Sequence, residues 1–334
     1  MMEQAQKISI ETQEQTKSKK KSQLIRYLKF YLIPGWRDPE FTEQEREIDK
    51  IKSKRRLFRH LLKPLTILGF LMILFILFIA IYAPWLTKYP LQTLMLPYPS
   101  GDLAFLPPSL EHPMGTAANG YDVFAKIIWG ARTTILTALI PVTISIGGGL
   151  ILGTISAYFG KVVDYLMMRF VEVMYAFPTL ILVIILAPMF DDNLITTLIV
   201  FGILFIPYNI RFMRSIVLQV KQLEFVQAAK VGGAKKFKVM FKHIVPNALS
   251  PTLIAFFGGA SIAIIGLAGI AFVGFSDPNT INWGAEIADS VINNTNLTNF
   301  SATVWPGIFI AISAIGFILI GDGLRDALDP RLKL

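Results

Sequence analysis

Residues 64–84 read PLTILGFLMILFILFIAIYAP, a segment with a proline at each end and no charged residue between them. A helix that crosses the hydrocarbon core of a bilayer needs about 20 predominantly apolar residues. Similar blocks recur along the 334-residue chain, of which 53% is hydrophobic and 16% is charged. Soluble domains are usually about a quarter charged. The sequence therefore predicts an all-α, multi-pass integral membrane protein.

The apolar blocks predict about six transmembrane helices. They lie at 64–84, 133–158, 166–189, 194–212, 250–272 and 305–320. The chain then begins with a basic cytoplasmic N-terminal extension at 1–63, followed by the first transmembrane helix at 64–84. An external segment and lead-in at 85–132 precede a five-helix core at 133–323, which contains a cytoplasmic loop at 221–247. A cytoplasmic tail follows at 324–334.

The distribution of Lys and Arg predicts the orientation of the chain. The run KSKRRLFRHLLK at 52–63 precedes the first helix, whereas the loop at 274–304 contains neither Lys nor Arg. Cytoplasmic loops of membrane proteins collect positive charge. Both termini are therefore expected on the cytoplasmic side of the cell membrane, and the turn at Asp191 and Asp192 on the external side. The net charge of +9 follows from this topology, so nucleic acid is not expected as a partner.

Composition also excludes several kinds of chemistry. The chain has no cysteine, and its three histidines lie too far apart in sequence for a metal-ligand pattern. A phosphate-binding loop with the Gly-x4-Gly-Lys-Ser/Thr spacing is absent from the sequence, so ATP hydrolysis is not expected here. We expect a non-catalytic protein without a cofactor or metal of its own.

A basic segment separates the fourth and fifth predicted helices. Residues 224–246 read EFVQAAKVGGAKKFKVMFKHIVP. Paired glycines favour a turn, so the pattern predicts a short helix, a turn at Gly232 and Gly233, and a second helix ended by Pro246. In that second helix Phe237, Met240, Phe241 and Ile244 share one apolar face, and lysines line another. Such a segment could lie on anionic lipid headgroups or dock into a partner protein.

The same segment resembles the cytoplasmic EAA loop of ABC importer permeases. That loop has Glu-Ala-Ala, three residues, Gly and a later Pro. The matching residues here are Gln227, Ala228, Ala229, Gly233 and Pro246. Gln227 replaces the usual Glu, so it keeps hydrogen-bonding capacity and loses the charge.

The resemblance extends over about 55–334 and indicates the C-type permease subunit of dipeptide, oligopeptide and nickel importers. It is carried by HPMGTAANGYDVFAKIIWGAR at 112–132, YFGKVVDYLMMRFVEVMYAFP at 158–178 and GDGLRDALDPRLKL at 321–334. Ala117 and Tyr121 stand where the family usually has an acidic residue and an Arg. Any role of those charges is therefore not expected here.

The resemblance implies partners and a mechanism. A second permease subunit would complete the pathway, two ABC ATPase subunits would bind ATP and Mg²⁺, an extracytoplasmic substrate-binding protein would deliver the solute, and membrane lipid would surround the helices. The residues implied to couple this chain to the ATPase are Glu224, Gln227, Ala228, Ala229, Gly233, Pro246 and Asn247.

Within this family peptides are favoured as the substrate, because no His or Met cluster in the sequence suggests metal handling; nickel or another small solute is the alternative. A stand-alone secondary transporter would show inverted repeats or paired broken helices, and the sequence has no convincing repeat. A membrane enzyme would need a nucleophile–base pair or a metal cluster at membrane depth, and neither pattern is visible.

Small residues and charges within the predicted helices give further candidates. Gly149, Gly153, Gly259 and Gly266 lie where helix backbones could approach closely, either around a moving pathway or in static packing. Arg169 and Glu172, three residues apart on one helix face, predict an ion pair. Asp277 and Glu286 are assigned to an external loop that is either solvated or in contact with a binding protein.

Overall fold

The structure is a computed structural model that describes residues 61–95, 103–118, 120–190, 193–293 and 300–328. The predicted extension up to residue 60, the turn at Asp191 and Asp192, and the last six residues of the predicted tail lie outside these ranges. Within them the regular structure is helical, with an isolated β-bridge between Thr116 and Asp122. The all-helical prediction is confirmed for this part of the chain.

We number the helices in chain order. They are α1 (Pro64–Leu86), α2 (Leu91–Met95), α3 (Val123–Phe159), α4 (Lys161–Tyr175), α5 (Thr179–Phe190), α6 (Leu194–Leu204), α7 (Ile206–Lys221), α8 (Glu224–Val231), α9 (Lys236–Phe272), α10 (Trp283–Asn293) and α11 (Ser301–Leu328).

Four of these helices, α1, α3, α9 and α11, are long and apolar enough to cross a membrane. Two further pairs qualify when each is taken together: α4 with α5, bent by 87°, and α6 with α7, bent by 40°. The number of candidate spans is thus four, or six if each bent pair counts once. The prediction of about six helices corresponds to the upper value.

The described residues fall into two compact units. The larger unit, Leu68–Asp322, is organised around α3, against which α6, α7 and α9 pack. Helix α3 begins earlier than predicted because Asp122 caps it, with Oδ2 accepting a 3.0 Å hydrogen bond from the Ala125 backbone N–H. In the described part of the smaller unit, Lys63 Nζ lies 2.5 Å from Asp326 Oδ2.

The prediction of one continuous helix at 166–189 is wrong. Helix α4 ends at Tyr175, and α5 begins at Thr179 after a turn of 87°. Pro178 lies in this turn. Proline has no N–H to continue the helical ladder, and it disfavours helical geometry at the residue before it, here Phe177. Four charged residues lie in α4 and none in α5, so the composition changes across the turn although both segments are rich in apolar residues.

The prediction that Pro246 ends a separate helix is also wrong, because α9 continues through it to Phe272. Residues Met240–Ile244 form a π-helical turn, in which the Val245 N–H donates to Met240 O. Pro246 lies in the first turn of the α-helical stretch that follows. A missing N–H costs least at that position.

Candidate functional site

The short helix α8 ends in a glycine-dependent turn. The Gly233 N–H donates to Lys230 O at 3.1 Å, and the Ala234 N–H donates to Ala229 O at 3.1 Å. These two bonds define a Schellman motif, which requires a residue with positive φ just beyond the helix. Gly233 has φ +74°. The glycine of the sequence pattern is thus the residue whose backbone reverses the chain between α8 and α9.

The start of α8 is tied to the end of α7. Gln227 Nε2 donates a 2.8 Å hydrogen bond to the carbonyl oxygen of Lys221, the last residue of α7. The last carbonyls of a helix lack intrahelical partners, so the side-chain amide of Gln227 caps α7. A carboxylate at this position could not donate such a bond.

One face of α8 is anchored in the bundle. Val226 is fully buried, and Ala229 packs beside it. The surrounding residues form an anchor cluster, which we define as Ala157, Val217, Val220, Val226, Val239 and Ile244. This cluster joins α8 to α3, α7 and α9. Burial of these apolar side chains packs the four helix segments against one another.

The opposite face of α8 is exposed. Glu224, Gln227 and Ala228 are exposed, and Val231 is 90% exposed. The two alanines of the sequence pattern are therefore divided, since Ala229 packs inward and Ala228 faces outward. Asn247, in α9, is exposed as well, and its Nδ2 donates to His243 O at 2.6 Å.

The predicted single apolar face at the start of α9 is divided. Met240 and Ile244 are buried, whereas Phe237 and Phe241 are 64% and 59% exposed. Val239 is also buried, so the side of the helix that faces the bundle lies roughly 100° around the axis from Phe237. The two exposed rings stack 6.5 Å apart. They share the outer surface with the exposed side chains of Lys235, Lys236, Lys238 and Lys242.

A polar network holds α3, α4 and α7 together beside this segment. Asp164 accepts 2.5 Å hydrogen bonds from Arg214 Nε and Nη2, and a 2.6 Å bond from Ser156 Oγ. Lys221 Nζ donates to the carbonyl oxygens of Ala157 and Tyr158, at the end of α3. A bidentate arginine–carboxylate pair fixes both distance and orientation. The network therefore holds the ends of three helices in one arrangement.

The charged pair expected from the sequence lies elsewhere on α4. Arg169 Nη1 is 2.6 Å from Glu172 Oε2, and both side chains are more than half exposed. Exposed pairs contribute little to stability. The Asp164–Arg214 pair, which is less exposed than the Arg169–Glu172 pair, could not be predicted from the sequence. Arg214 is 50 residues from Asp164, and only the packing of α4 on α7 brings the two together.

Three of the four candidate glycines lie at close helix contacts. A Cβ atom on Gly149 would come within 2.3 Å of Asn209 Cβ, and one on Gly153 within 2.8 Å of Ile210 O. On Gly259 it would lie 2.5 Å from Val142 Cγ2. Gly266 is less tightly packed, with the Phe201 ring 3.3 Å from the corresponding position. The first three permit the close approach of α7 and α9 to α3.

An open cavity of about 360 Å³ lies between α3, α6, α7 and α9. Its walls are mainly apolar and include Phe201, Phe205 and Gly259. Ser145, Tyr208 and Asn209 are the polar side chains among its lining residues, which include no charged group. A surface of this kind can contact a solute by shape and by a few hydrogen bonds.

The alternative that Glu286 is solvated is wrong. It lies on α10, and its carboxylate is 2.7 Å from Lys126 Nζ, with the two side chains only 12% and 6% exposed. Burial raises the pKa of Glu286 despite the opposing effect of Lys126. The neighbouring Trp283 indole donates a 3.1 Å bond to Ile127 O. Both contacts hold α10 against the start of α3.

Asp277 also makes a contact within the bundle. Its Oδ2 accepts a 3.0 Å hydrogen bond from the Leu194 backbone N–H, at the start of α6.

Among the described residues, no group of three or more His, Cys, Asp or Glu side chains is placed to hold a metal ion.

Comparison with known proteins gives a consistent result. The family described as "Binding-protein-dependent transport system inner membrane component" matches residues 149–334. The chain is 34% identical over 300 residues to a dipeptide transport system permease protein of Alkalihalophilus pseudofirmus, covering 89% of this chain and 96% of that protein.

Two further relatives are similar over most of their length. An oligopeptide transport system permease protein of Bacillus subtilis is 34% identical over 271 residues, covering 80% of this chain and 86% of the relative. A probable D,D-dipeptide transport system permease protein of Escherichia coli is 32% identical over 269 residues, covering 80% and 88%.

Proposed function

The chain belongs to the family of binding-protein-dependent transport system inner membrane components, as a C-type ABC importer permease, and we propose that it forms half of a peptide pathway driven by partner ATPase subunits. The relatives named for dipeptide and oligopeptide transport support peptides as the substrate. A second permease subunit would form the other half, and an extracytoplasmic binding protein would deliver the peptide.

The observation that carries the coupling proposal is the two-sided packing of α8. Its inner face is buried in the anchor cluster, whereas Glu224, Gln227 and Ala228 face outward. In the proposed assembly this outer face docks into an ATPase subunit on the cytoplasmic side of the cell membrane. Both termini of the chain would lie on that side too.

The contacts around α8 suggest how a displacement would pass into the bundle. Gln227 holds α8 to the end of α7, and the Schellman motif at Gly233 connects it stiffly to α9. Lys221 and the Asp164–Arg214 pair extend the connection to α3 and α4. A push on α8 would therefore be transmitted as a rigid-body movement of several helices rather than absorbed in a loop.

The cavity between α3, α6, α7 and α9 is the proposed contribution of this chain to the pathway. Its few hydrogen-bonding groups, at Ser145, Tyr208 and Asn209, could contact peptide backbone without selecting one side-chain charge. Close packing at Gly149 and Gly259 means that a shift of α7 or α9 along α3 would change the shape of this cavity. ATP and Mg²⁺ would be bound by the partner subunits.

Transport by the reconstituted complex tests this function. The complex purified from native membrane would be placed in vesicles, and the uptake of labelled dipeptides, longer peptides and Ni²⁺ would be compared with and without ATP on the α8 side. We expect peptide uptake that requires both ATP and the binding protein. Uptake driven by an ion gradient without ATP would contradict the proposal, and ATP-dependent uptake of Ni²⁺ alone would reject peptides as the substrate.

A further inference from the structure

Helix α4 has an exposed apolar stripe that nothing in the described chain covers. The stripe consists of Val162, Leu166, Phe170 and Val173, which are 69%, 61%, 52% and 60% exposed. Of the 15 residues of α4, only Val171 is fully buried. Exposed apolar patches of this kind mark contacts with another protein or with lipid.

The other two sides of α4 have different surroundings. Asp164 and Val171 point towards the bundle, where Asp164 is bound by Arg214. Tyr165, Arg169 and Glu172 form a polar strip that is more than half exposed. With 100° between successive helical residues, the bundle side, the polar strip and the apolar stripe are separated by about 90–155° around the axis. One helix thus presents separate sides suited to protein, water and hydrocarbon.

The 87° turn at Pro178 sets the direction of this helix. The following helix, α5, is composed almost entirely of apolar residues, and Val183 and Ala187 pack it against α6. If α5 runs into the bilayer, α4 must run nearly parallel to the surface. A spanning α4 would also place the exposed Arg169 and Glu172 in hydrocarbon, which is costly.

We propose that α4 lies in the headgroup region of one membrane leaflet, on the side of α8, with its apolar stripe inserted among the lipid chains and its polar strip in water. Positive charge at both ends of the helix fits an anionic leaflet. Lys161 is exposed at its start, and the exposed Arg211 lies over the Tyr175 ring at its end, 5.8 Å from the ring centre. Amphipathic helices with these features bind at the lipid interface.

The natural absence of cysteine allows a direct depth measurement. Single variants Val162→Cys, Leu166→Cys, Phe170→Cys and Val173→Cys would be spin-labelled in the complex purified from native membrane. The complex would then be returned to vesicles of phosphatidylethanolamine and phosphatidylglycerol. Accessibility to oxygen and to a water-soluble nickel chelate gives the depth of each label. Glu172→Cys reports the polar strip, and Val171→Cys is the buried control.

We expect the four stripe labels to be oxygen-accessible at nearly equal, shallow depth, with the Glu172→Cys label accessible to the chelate. A spanning helix would instead separate the labels at 162 and 173 by about 16 Å in depth, at about 1.5 Å per residue. That result would overturn the proposal. So would stripe labels as immobile and inaccessible as the Val171→Cys label, because they would show a protein partner on this face. Neither outcome depends on transport, so the test is independent of the proposed function.

Discussion

The side-chain amide of Gln227 donates a 2.8 Å hydrogen bond to the carbonyl oxygen of Lys221. This bond joins the outward-facing helix α8 to the last residue of α7, whose own side chain binds the end of α3. The departure from the family pattern at Gln227 thus has a structural consequence within the chain, since the amide can donate to that carbonyl and an ionised carboxylate could not.

Replacing Gln227 tests this cap. We expect Gln227→Met and Gln227→Glu to increase amide hydrogen exchange at residues 222–227 about fivefold, because a hydrogen bond of this kind contributes about 1 kcal/mol. At neutral pH the Gln227→Glu variant should exchange faster than Gln227→Met, because its carboxylate faces a carbonyl oxygen. Below about pH 4.3 the exchange of the Gln227→Glu variant should slow, because the protonated acid can donate a hydrogen bond. Unchanged protection in both variants would show that the cap is unimportant.

The Schellman motif predicts different effects for two adjacent glycines. Gly233 has φ +74° and no atom within 4 Å of an added Cβ, so Gly233→Ala carries only a conformational cost, of about 1–2 kcal/mol. Tryptic cleavage at Lys235 and Lys236 should become about 5- to 30-fold faster, because cleavage follows the population of the opened turn. Gly232, with φ −70°, is the matched control, and Gly232→Ala should have little effect. Equal cleavage rates in the two variants would contradict the motif's role.

The two charged pairs of α4 should differ in their contribution to stability. Asp164→Asn disrupts a half-buried bidentate pair with Arg214 and should lower the free energy of unfolding by about 1.5–3 kcal/mol. Glu172→Gln disrupts the exposed pair with Arg169 and should cost less than about 0.5 kcal/mol. Thermal unfolding of the two purified variants provides the comparison. A larger loss for Glu172→Gln would mean that the Asp164 network does not hold the helix ends together.

The buried pair on the other side of the bundle predicts a non-additive result. Lys126→Met leaves the Glu286 carboxylate without its cation and should destabilise the protein by roughly 3 kcal/mol. The double variant Lys126→Met/Glu286→Met should recover most of that loss, because no buried charge remains. Denaturant titration of the single and double variants measures the difference, and additive losses would contradict the assignment of a buried pair.

The same pair also predicts a pH dependence. The pKa of Glu286 is raised above its usual value of 4.5 by burial. The stability contributed by the protonated carboxyl is therefore complete below pH 4.5 and is lost as the pH rises through the raised pKa. Removing the opposing cation with Lys126→Met should move this loss to higher pH in a profile of unfolding midpoint against pH. An unshifted profile would show that Lys126 does not influence Glu286.

Much of the fold could be predicted from composition. Helices α1, α3, α9 and α11 can be predicted because each contains about 20 predominantly apolar residues without a charge. The family resemblance, carried by the pattern from Gln227 to Pro246 and by three other segments, is confirmed by the family match and by the relatives. The turn at Gly232 and Gly233 was also predicted, although the pattern could not tell which glycine has positive φ.

The remaining features depend on three-dimensional contacts. The break at Pro178 separates the amphipathic α4 from the uncharged α5, and apolar content alone does not distinguish a straight helix from a bent one there. Arg214 and Asp164, like Lys126 and Glu286, are far apart in the chain, and charge spacing cannot pair them. Phe237 is exposed because the buried side of the helix includes Val239. Val239 is not at an i, i+3 or i+4 position from Phe237, so the apolar pattern does not include it.

Co-purification with partner subunits tests the central claim most directly. Ala228 is exposed on α8, so Ala228→Glu alters the proposed docking face without disturbing the anchor cluster. Ile292→Glu places the same charge on an exposed position of α10 and serves as the control. We expect ATPase subunits to be recovered with the wild type and with Ile292→Glu, and to be lost with Ala228→Glu. Recovery of the chain without any ATPase subunit, or equal recovery with all three proteins, would contradict the proposed role of α8.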